Sequence, residues 1–572
     1  MAAALASCLP LLGCNGAPEG RAVRQPDVAE QPGRPNIVLI VADDLGPSDL
    51  GAYGGEIPTP NIDALANAGM MLTRFYTSMT CSPTRSMLFS GTDNHLAGLG
   101  VMGAAANPAQ RGQPGYEGHL NFRVASLASL LRDSGYRTYM TGKWHLGADV
   151  ETGPAARGFD RSFVSIDGAS HLGGLSWNGP GLAPYRDGEA LVAVDDDFYS
   201  TRVYTERMIE YIESGREYDD RENAGTRDDA NSGDDATGDR RGGQPFFAYL
   251  AYTAPHWPLQ APPESIARFE SWYDDGWEAL YQRRLERAKA LGLARPDFAG
   301  IPPATGPRWD ELSAEEQRVE ARKMEIYAAM VSDLDTYIGR LVDYLDSIGE
   351  LDDTFVFFMS DNGPEGLRRD LTAPLSRWVE TCCDNSYANL GAGDSYVMYG
   401  PHWARAGTVL FRGAKGTAWE GGIRVPAIAR WPGNVPQSTR SDAFATVMDL
   451  LPTFLSLAGA EHPGNVYRGR AVEPVSGGSL LPVLTREADA AHADDYYAGW
   501  ELYGHRAVRQ GDWKIVWDPS EGDAAAWHLF NLAQDPGEQV DLRDREPQRL
   551  EAMRALWDRY ERDNGVILAG RP

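Results

Sequence analysis

Four apolar, β-rich runs each stop at residues able to hold a proton, a cation or an anion. NIVLIVADD (36–44) stops at Asp43 and Asp44, and YRTYMTGKWH (136–145) at Lys143 and His145. PFFAYLAYTAPH (245–256) stops at His256, and TFVFFMSDNG (354–363) at Asp361 and Asn362. Singly, each has a plainer reading, because an Asp–Asp pair after a strand commonly caps a turn and a lone histidine is commonly a satisfied structural group. Together, three carboxylates and an amide form an oxygen-rich set suited to a hard cation, Ca²⁺ or Mg²⁺. Ca²⁺ fits better, since its larger and more flexible shell accepts side chains drawn from distant strands. Zinc prefers Cys and His ligands, and only two histidines are near. Arg85, Lys143 and Lys415, the last in FRGAKGTAWEGGIRVP (411–426), add a cationic lining to an acidic protein. The group acted on should therefore be a small anion.

TCSPTRSMLFSG (80–91) adds a cysteine to this set. Ser82 suits a helix N-cap and Pro83 the first helical position, which puts Cys81 just outside a helix N-terminus, where unpaired N–H groups attract anions. Cys81 then serves as a nucleophile, as a small buried hydrophobe, or as the precursor of something else. The segment by itself leaves all three open.

The elements that must position these residues follow from pattern. Continuous apolar runs suit strands buried on both faces, and helical patterns lie between them. The clearest spans Ala314 to Ile348, with Met324, Tyr327, Val331, Leu334, Ile338, Leu341 and Leu345 three or four apart. The expected fold is α/β, a large mostly parallel central sheet flanked by helices. In such sheets the ligand lies beyond the carboxyl ends of the strands, which gathers the four run ends into one crevice. After about residue 490 the texture changes. HRAVRQGDWKIVWDP (505–519) reads as a hairpin about Gln510-Gly511-Asp512, AWHLFNLAQDP (526–536) adds a strand, and PQRLEAMRALWDRYERDNG closes with an amphipathic helix. A catalytic domain at 35–489 and a smaller C-terminal α+β subdomain, antiparallel sheet plus helix, at 490–572 are expected.

The 572 residues are 42% hydrophobic and 23% charged, a globular composition. The net charge of −28 argues against a nucleic-acid partner, which needs a Lys/Arg surface. No apolar stretch is long enough for a transmembrane helix. Residues 1–14 form a short apolar run like an export signal, and Leu11-Leu12-Gly13-Cys14 resembles a bacterial lipoprotein processing site whose cysteine is acylated. Residues 15–34 then read as a tether, and the protein as exported, periplasmic or membrane-anchored through Cys14. Residues 214–243 read as an acidic disordered insertion. Cys382 and Cys383 either form a strained vicinal disulfide or stay reduced, and no disulfide framework exists.

Cys81-Ser82-Pro83-Thr84-Arg85 followed by SMLFSG, and GYRTYMTGKWHLG (135–147), resemble the two signatures of the sulfatase family within the alkaline-phosphatase-like superfamily. PNIVLIVADDLG, RGQPGYEGHLN, APHWPLQAP, SDNG and RQGDWKIV extend the likeness to bacterial arylsulfatases over nearly the whole chain. The resemblance implies that a maturation enzyme oxidises Cys81 to formylglycine (3-oxoalanine), whose hydrated gem-diol is the nucleophile. It implies one Ca²⁺ held by Asp43, Asp44, Asp361 and Asn362, with the modified Cys81 side chain close to it. Arg85 and Lys143 would stabilise the gem-diolate, and Lys143, His256 and Lys415 would bind sulfate. His256 would protonate the leaving oxygen, His145 would deprotonate the second hydroxyl, and Asp361 would be the base for the attacking one. The substrate implied is a small-molecule sulfate ester. Two rivals are a phosphonate monoester or phosphodiester hydrolase of the same superfamily, and a catalytically silent surface lipoprotein.

Overall fold

The computed structural model describes residues 34–168, 171–173, 176, 181–225 and 243–568. The export signal, Cys14 and nearly all of the tether lie outside the described residues. The central sheet has eleven strands: β1 (Asn36–Ala42), β2 (Met70–Tyr76), β3 (Arg137–Lys143), β4 (Arg161–Ser165), β5 (Tyr185–Asp187), β6 (Ala190–Val192), β7 (Phe246–Ala251), β8 (Thr354–Ser360), β9 (Arg424–Arg430), β10 (Thr439–Ser441) and β11 (Ala445–Thr446). They lie in the order β10-β2-β9-β8-β1-β7-β3-β4-β5-β6, with β11 also on β2. β1 pairs in parallel with β7 and β8, and β3 pairs in parallel with β7 and β4, whereas β9 runs antiparallel to β8 and β2. The sheet is thus mixed and mostly parallel.

Why the runs are unbroken is visible in β1. Val38, Ile40 and Ala42 join one hydrophobic cluster, while Ile37, Leu39 and Val41 join another on the opposite face. A strand covered on both sides has no polar face to alternate with. The helix Ala314–Ser347 covers the first face, and the seven apolar residues that mark its period are all buried. Ser313 caps it, accepting from the Glu316 N–H while the Glu316 carboxylate accepts from the Ser313 N–H at 2.8 Å.

Two sequence expectations are corrected or settled here. The insertion expected to be disordered from residue 214 instead continues the helix Ser200–Gly225. Arg137 holds it there, donating to the Gly215 carbonyl and lying 5.5 Å from the Tyr218 ring centre. Residues 226–242 lie outside the described residues. Cys382 and Cys383 are joined as a vicinal disulfide.

A small hairpin, β12 (Val466–Tyr467) with β13 (Arg470–Ala471), precedes the C-terminal antiparallel sheet of β14 (Tyr497–Leu502), β15 (His505–Gln510), β16 (Trp513–Trp517) and β17 (Trp527–Asn531). One face packs Val508, Ile515 and Leu529 against Met553, Trp557 and Tyr560 of the helix Pro547–Asp563. The other packs Trp500, Val516 and Phe530 against Tyr76, Met79 and Trp419, the segments leading to Cys81 and away from Lys415. Buried charge completes this junction. Lys514 of β16 lies 2.8 Å from both Glu420 and Glu538, and Tyr76 donates to Glu420 at 2.5 Å. Lys514 is shared by the two buried carboxylates, and without it Glu420 keeps Arg424 at 3.4 Å while Glu538 loses its close cation, so Lys514→Met should cost about 3–5 kcal/mol, read as denaturant stability. Burial, offset in part by Lys514, pushes Glu538 up to about 7. A carboxyl raised in the folded state holds its proton through the window from its ordinary value to about 7, so its contribution fades as pH rises through that window. Glu538→Gln should therefore flatten the decline of stability with rising pH over that window.

Candidate active site

The carboxyl ends of β1, β3, β7 and β8 meet, and the groups at their tips pair one to one. Lys143 Nζ lies 2.6 Å from Asp43, Lys415 Nζ 2.7 Å from Asp44, and Arg85 2.7 Å from Asp361. All six are buried. Asn362 donates to Asp44 at 2.7 Å, and the Asp44 N–H points to Asp361 Oδ1 at 3.4 Å. His256 Nε2 is 3.6 Å from Asp44. The structure thus brings Asp43, Asp44, Arg85, Lys143, His256, Asp361, Asn362 and Lys415 into one cluster.

The backbone is bent to aim these side chains. Asp44 and His145 adopt left-handed conformations, φ 68° and 54°, rare for residues with a Cβ and concentrated at functional sites. Before Lys143, Gly142 has φ 105°, and a Cβ there would overlap the Ala251 carbonyl of β7. After Asn362, a Cβ on Gly363 would overlap the Gly421 carbonyl. Glycine at these positions lets β3 and the loop beyond Lys415 close on the cluster.

Cys81 is 2% exposed and begins the helix Cys81–Ser90, with Thr80 as N-cap. This corrects the expected Ser82 cap. The Thr84 hydroxyl accepts from the Ser78 N–H at 3.0 Å, and the Thr84 N–H reaches Thr80 O at 3.2 Å, which starts the turn earlier. Pro83 still falls within the first turn, where its missing N–H costs nothing. Asp43, Asp44, Cys81 and His256 each offer a ligand atom, all within 4.8 Å of one another.

Whether a hard cation fits can be tested on the oxygens. Asp43 Oδ1 and Asn362 Oδ1 are buried acceptors without a hydrogen-bond partner among the described residues. Buried acceptors are rarely left so. Both belong to the expected ligand set, and hard oxygen donors suit a cation such as Ca²⁺ or Mg²⁺. The set fits. Because each carboxylate already faces one fixed cation, a divalent ion makes the site net positive, as an anionic substrate requires.

Burial, with Asp43 and Asp361 adding to it, pushes the Cys81 thiol up to about 12, so the unmodified thiol is protonated at neutral pH and a poor nucleophile. Burial, then Lys143 and Arg85, hold His145 well below the ordinary imidazole value. Burial, then Lys415, do the same to His256. Burial raises Asp44 to about 7 despite Lys415. His256 Nδ1 donates to the Trp257 carbonyl at 2.5 Å, leaving Nε2 to face the cluster.

Several supporting contacts were not legible in the sequence. Arg85 also donates to the Lys143 carbonyl at 2.7 Å and to Tyr249 at 3.3 Å, so it positions Asp361 and the end of β3 together. His171 Nε2 donates to the His256 carbonyl at 2.7 Å. Glu365 accepts from the Trp257 indole at 3.3 Å and lies 3.7 Å from Lys415. For Glu365, its place four residues after Asp361 was the available signal.

The model of the Sulfatase family matches residues 35–460, and that of the N-sulphoglucosamine sulphohydrolase C-terminal region matches residues 414–564. An uncharacterized sulfatase of Schizosaccharomyces pombe is 43% identical over 94% of this chain and 95% of its own length. An arylsulfatase of Klebsiella aerogenes is 36% identical over 80% of this chain and 93% of its own. Among solved structures, Ps i-CgsB in complex with k-i-k-neocarrahexaose superposes with a TM-score of 0.63 at 24% identity, covering 93% of this chain and 94% of that one.

Proposed function

The chain belongs to the sulfatase family and is a sulfuric ester hydrolase, and from that premise we propose that it cleaves aryl or similar sulfate monoesters with a nucleophile made from Cys81. The observation that carries this reading is the placement of Cys81 against Asp43, Asp44 and His256, in one buried cluster with the ion pairs of Lys143, Lys415 and Arg85. Oxidation of Cys81 to formylglycine by a maturation enzyme would give a hydrated aldehyde, which supplies a hydroxyl nucleophile that the thiol is not. A Ca²⁺ ion held by Asp43, Asp44, Asp361 and Asn362 would supply positive charge beside the sulfate and the nucleophile.

The residues divide the remaining work. Lys143 and Lys415, drawn from opposite sides of the cluster, bind the sulfate oxygens and offset the charge that grows on them in the transition state. Asp361, fixed by Arg85, accepts the proton of the attacking hydroxyl. His145, neutral at pH 7, is a base for the hydroxyl that remains on residue 81 once sulfate has been transferred, so that sulfate leaves by elimination. His256 holds its Nε2 toward the leaving oxygen. The negative charge of a bound sulfate ester counters Lys415 and favours the protonated ring that the donor role needs. Export, with a membrane tether through lipidated Cys14, is the reading its leader supports; the mass of the mature N-terminal peptide tests it.

His256 is tested by leaving-group dependence. A general acid contributes about 10²–10⁴-fold where the departing oxygen needs a proton. A nitrophenolate leaves readily as an anion and an alkoxide does not. His256→Ala should therefore slow the chemical step for an alkyl sulfate far more than for nitrophenyl sulfate. Equal slowing of both would remove His256 as donor and make Lys415 the next candidate. Turnover of phosphate diesters in preference to both sulfates would overturn the substrate class.

A further inference from the structure

The rim of the cluster carries one cation that the reaction as described leaves unused. Arg369 stands eight residues beyond Asp361, in the short 3₁₀ turn Arg369–Leu371. It is half-buried, and its enclosed Nε has no hydrogen-bond partner among the described residues. No carboxylate among the described residues lies within ion-pair distance of it. Its neighbour Arg368 differs in this respect, lying 2.8 Å from Asp370 and 3.6 Å from Glu320.

Arg369 follows four residues after Glu365, which touches both the Trp257 indole and Lys415, and so lies on the leaving-group side. The His256 ring stands 4.7 Å from that of Trp257, which stands 5.9 Å from that of Tyr396. Trp378 closes on Tyr396 at 5.2 Å, so a buried aromatic stack runs from the residue that faces the leaving oxygen to the half-buried Trp378. Arg369 is within electrostatic reach of the Tyr396 hydroxyl. From the other side comes Tyr503, at the tip of the hairpin joining β14 to β15. Its backbone is left-handed, φ 55°, and the residue is 37% exposed. Its hydroxyl lies beside the Met102 backbone, within electrostatic reach of Arg369, Cys81 and Lys415 alike. Leu367 and Leu371, 51% and 68% exposed, flank the arginine with apolar surface.

Resting on the sulfatase reading, we propose that Arg369, with Tyr503 across from it, binds a second anionic group carried by the alcohol part of the substrate, a carboxylate or another sulfate. A guanidinium without an internal counter-ion keeps its donors for such a group, and guanidinium recognises both oxyanions with paired N–H donors. The half-buried Trp378 and the two exposed leucines supply surface for the ring or scaffold between the two anions. The preferred substrates are then sulfate esters bearing two negative charges, one cleaved and one held.

Three aryl sulfates test this with the full-length matured enzyme: para-carboxyphenyl sulfate, the para-bis-sulfate of hydroquinone, and para-carbamoylphenyl sulfate as the neutral isostere. The wild type should favour at least one dianionic ester over the carboxamide in kcat/KM, mainly through KM. The expected size is on the order of tenfold, that of a partly exposed charge-assisted hydrogen bond. Whichever dianion is favoured identifies the group held. Arg369→Gln should bring that ratio close to one, whereas Arg368→Gln should leave it in place. A wild-type ratio of one with all three esters hydrolysed would overturn this proposal alone, as would a ratio unaltered in Arg369→Gln. Failure to hydrolyse any of them would overturn the sulfatase reading and this one with it.

Discussion

Cys81→Ala should lower sulfate ester turnover by on the order of 10⁴–10⁶-fold, the loss expected when a covalent nucleophile is deleted. The fold should survive, because a buried thiol replaced by a methyl group loses little packing and the Thr84–Ser78 bond that starts the helix remains. Cys81→Ser is the sharper variant. A serine hydroxyl could accept sulfate once, but its ester offers no second hydroxyl for His145 to deprotonate, so release would wait on attack by water. The serine protein should therefore collect the mass of one sulfate on the peptide Ser78–Arg85 and then stop. In active wild-type protein the same peptide should carry an aldehyde at position 81, with oxygen in place of sulfur and reactivity toward hydrazides. Fully active protein with an intact thiol at that position would sink the mechanism. The buried, protonated state of the thiol agrees with this assignment, and Asp43, Asp44 and Asp361 around it are each already paired with a cation.

How far the sequence could be read depends on the range of the forces involved. β1 and β8 announced themselves because burial on both faces leaves an unbroken apolar run, and the run stops where the strand meets the ligand. The helix Ala314–Ser347 showed its period for the complementary reason, one face on the core and one in water. The start of the nucleophile helix was misplaced because a single hydroxyl, that of Thr84, reaches back to the Ser78 N–H, and no propensity scale carries that bond. The helix through Gly225 was missed because its last turns are polar; its anchor, Arg137, belongs to another element 78 residues earlier. Strand β14 was missed although its alternation is clear in the structure, since Glu501 turns inward to face His95 at 3.2 Å and breaks the expected polarity. Arg85 shows the limit most plainly. Its charge could be read as part of an anion site, yet its two closest side-chain partners, Asp361 and Tyr249, come from strands far along the chain. Resemblance could name these residues; only the assembled sheet shows which of them hold the others in place.

Asp44→Asn should reduce turnover by about 10²–10³-fold or more. Asparagine has the shape of aspartate and tolerates the left-handed backbone found at this position, φ 68°, where alanine would add strain. It keeps an oxygen for the Asn362 amide but gives up the charge that a divalent cation and Lys415 both use. The loss should be the size seen when one preorganised electrostatic contact to a transition state is removed, compounded by weaker cation binding. The two contributions can be separated. If the carboxylate acts mainly by holding the ion, excess Ca²⁺ should recover part of the activity of Asp44→Asn, and its half-saturation point should lie well above that of the wild type. Exhaustive chelation should silence the wild type, and metal analysis of the active protein should find about one Ca²⁺ per chain, as a single set of oxygen donors requires. Mg²⁺ offers the instructive contrast. Its smaller shell demands near-octahedral geometry and holds its waters, which four side chains drawn from two strands meet poorly, so it should restore less activity than Ca²⁺ at equal concentration. Undiminished turnover after chelation would mean that Lys143, Lys415 and Arg85 alone neutralise the reacting sulfate. The unpartnered oxygens of Asp43 and Asn362 would then have to be explained by water.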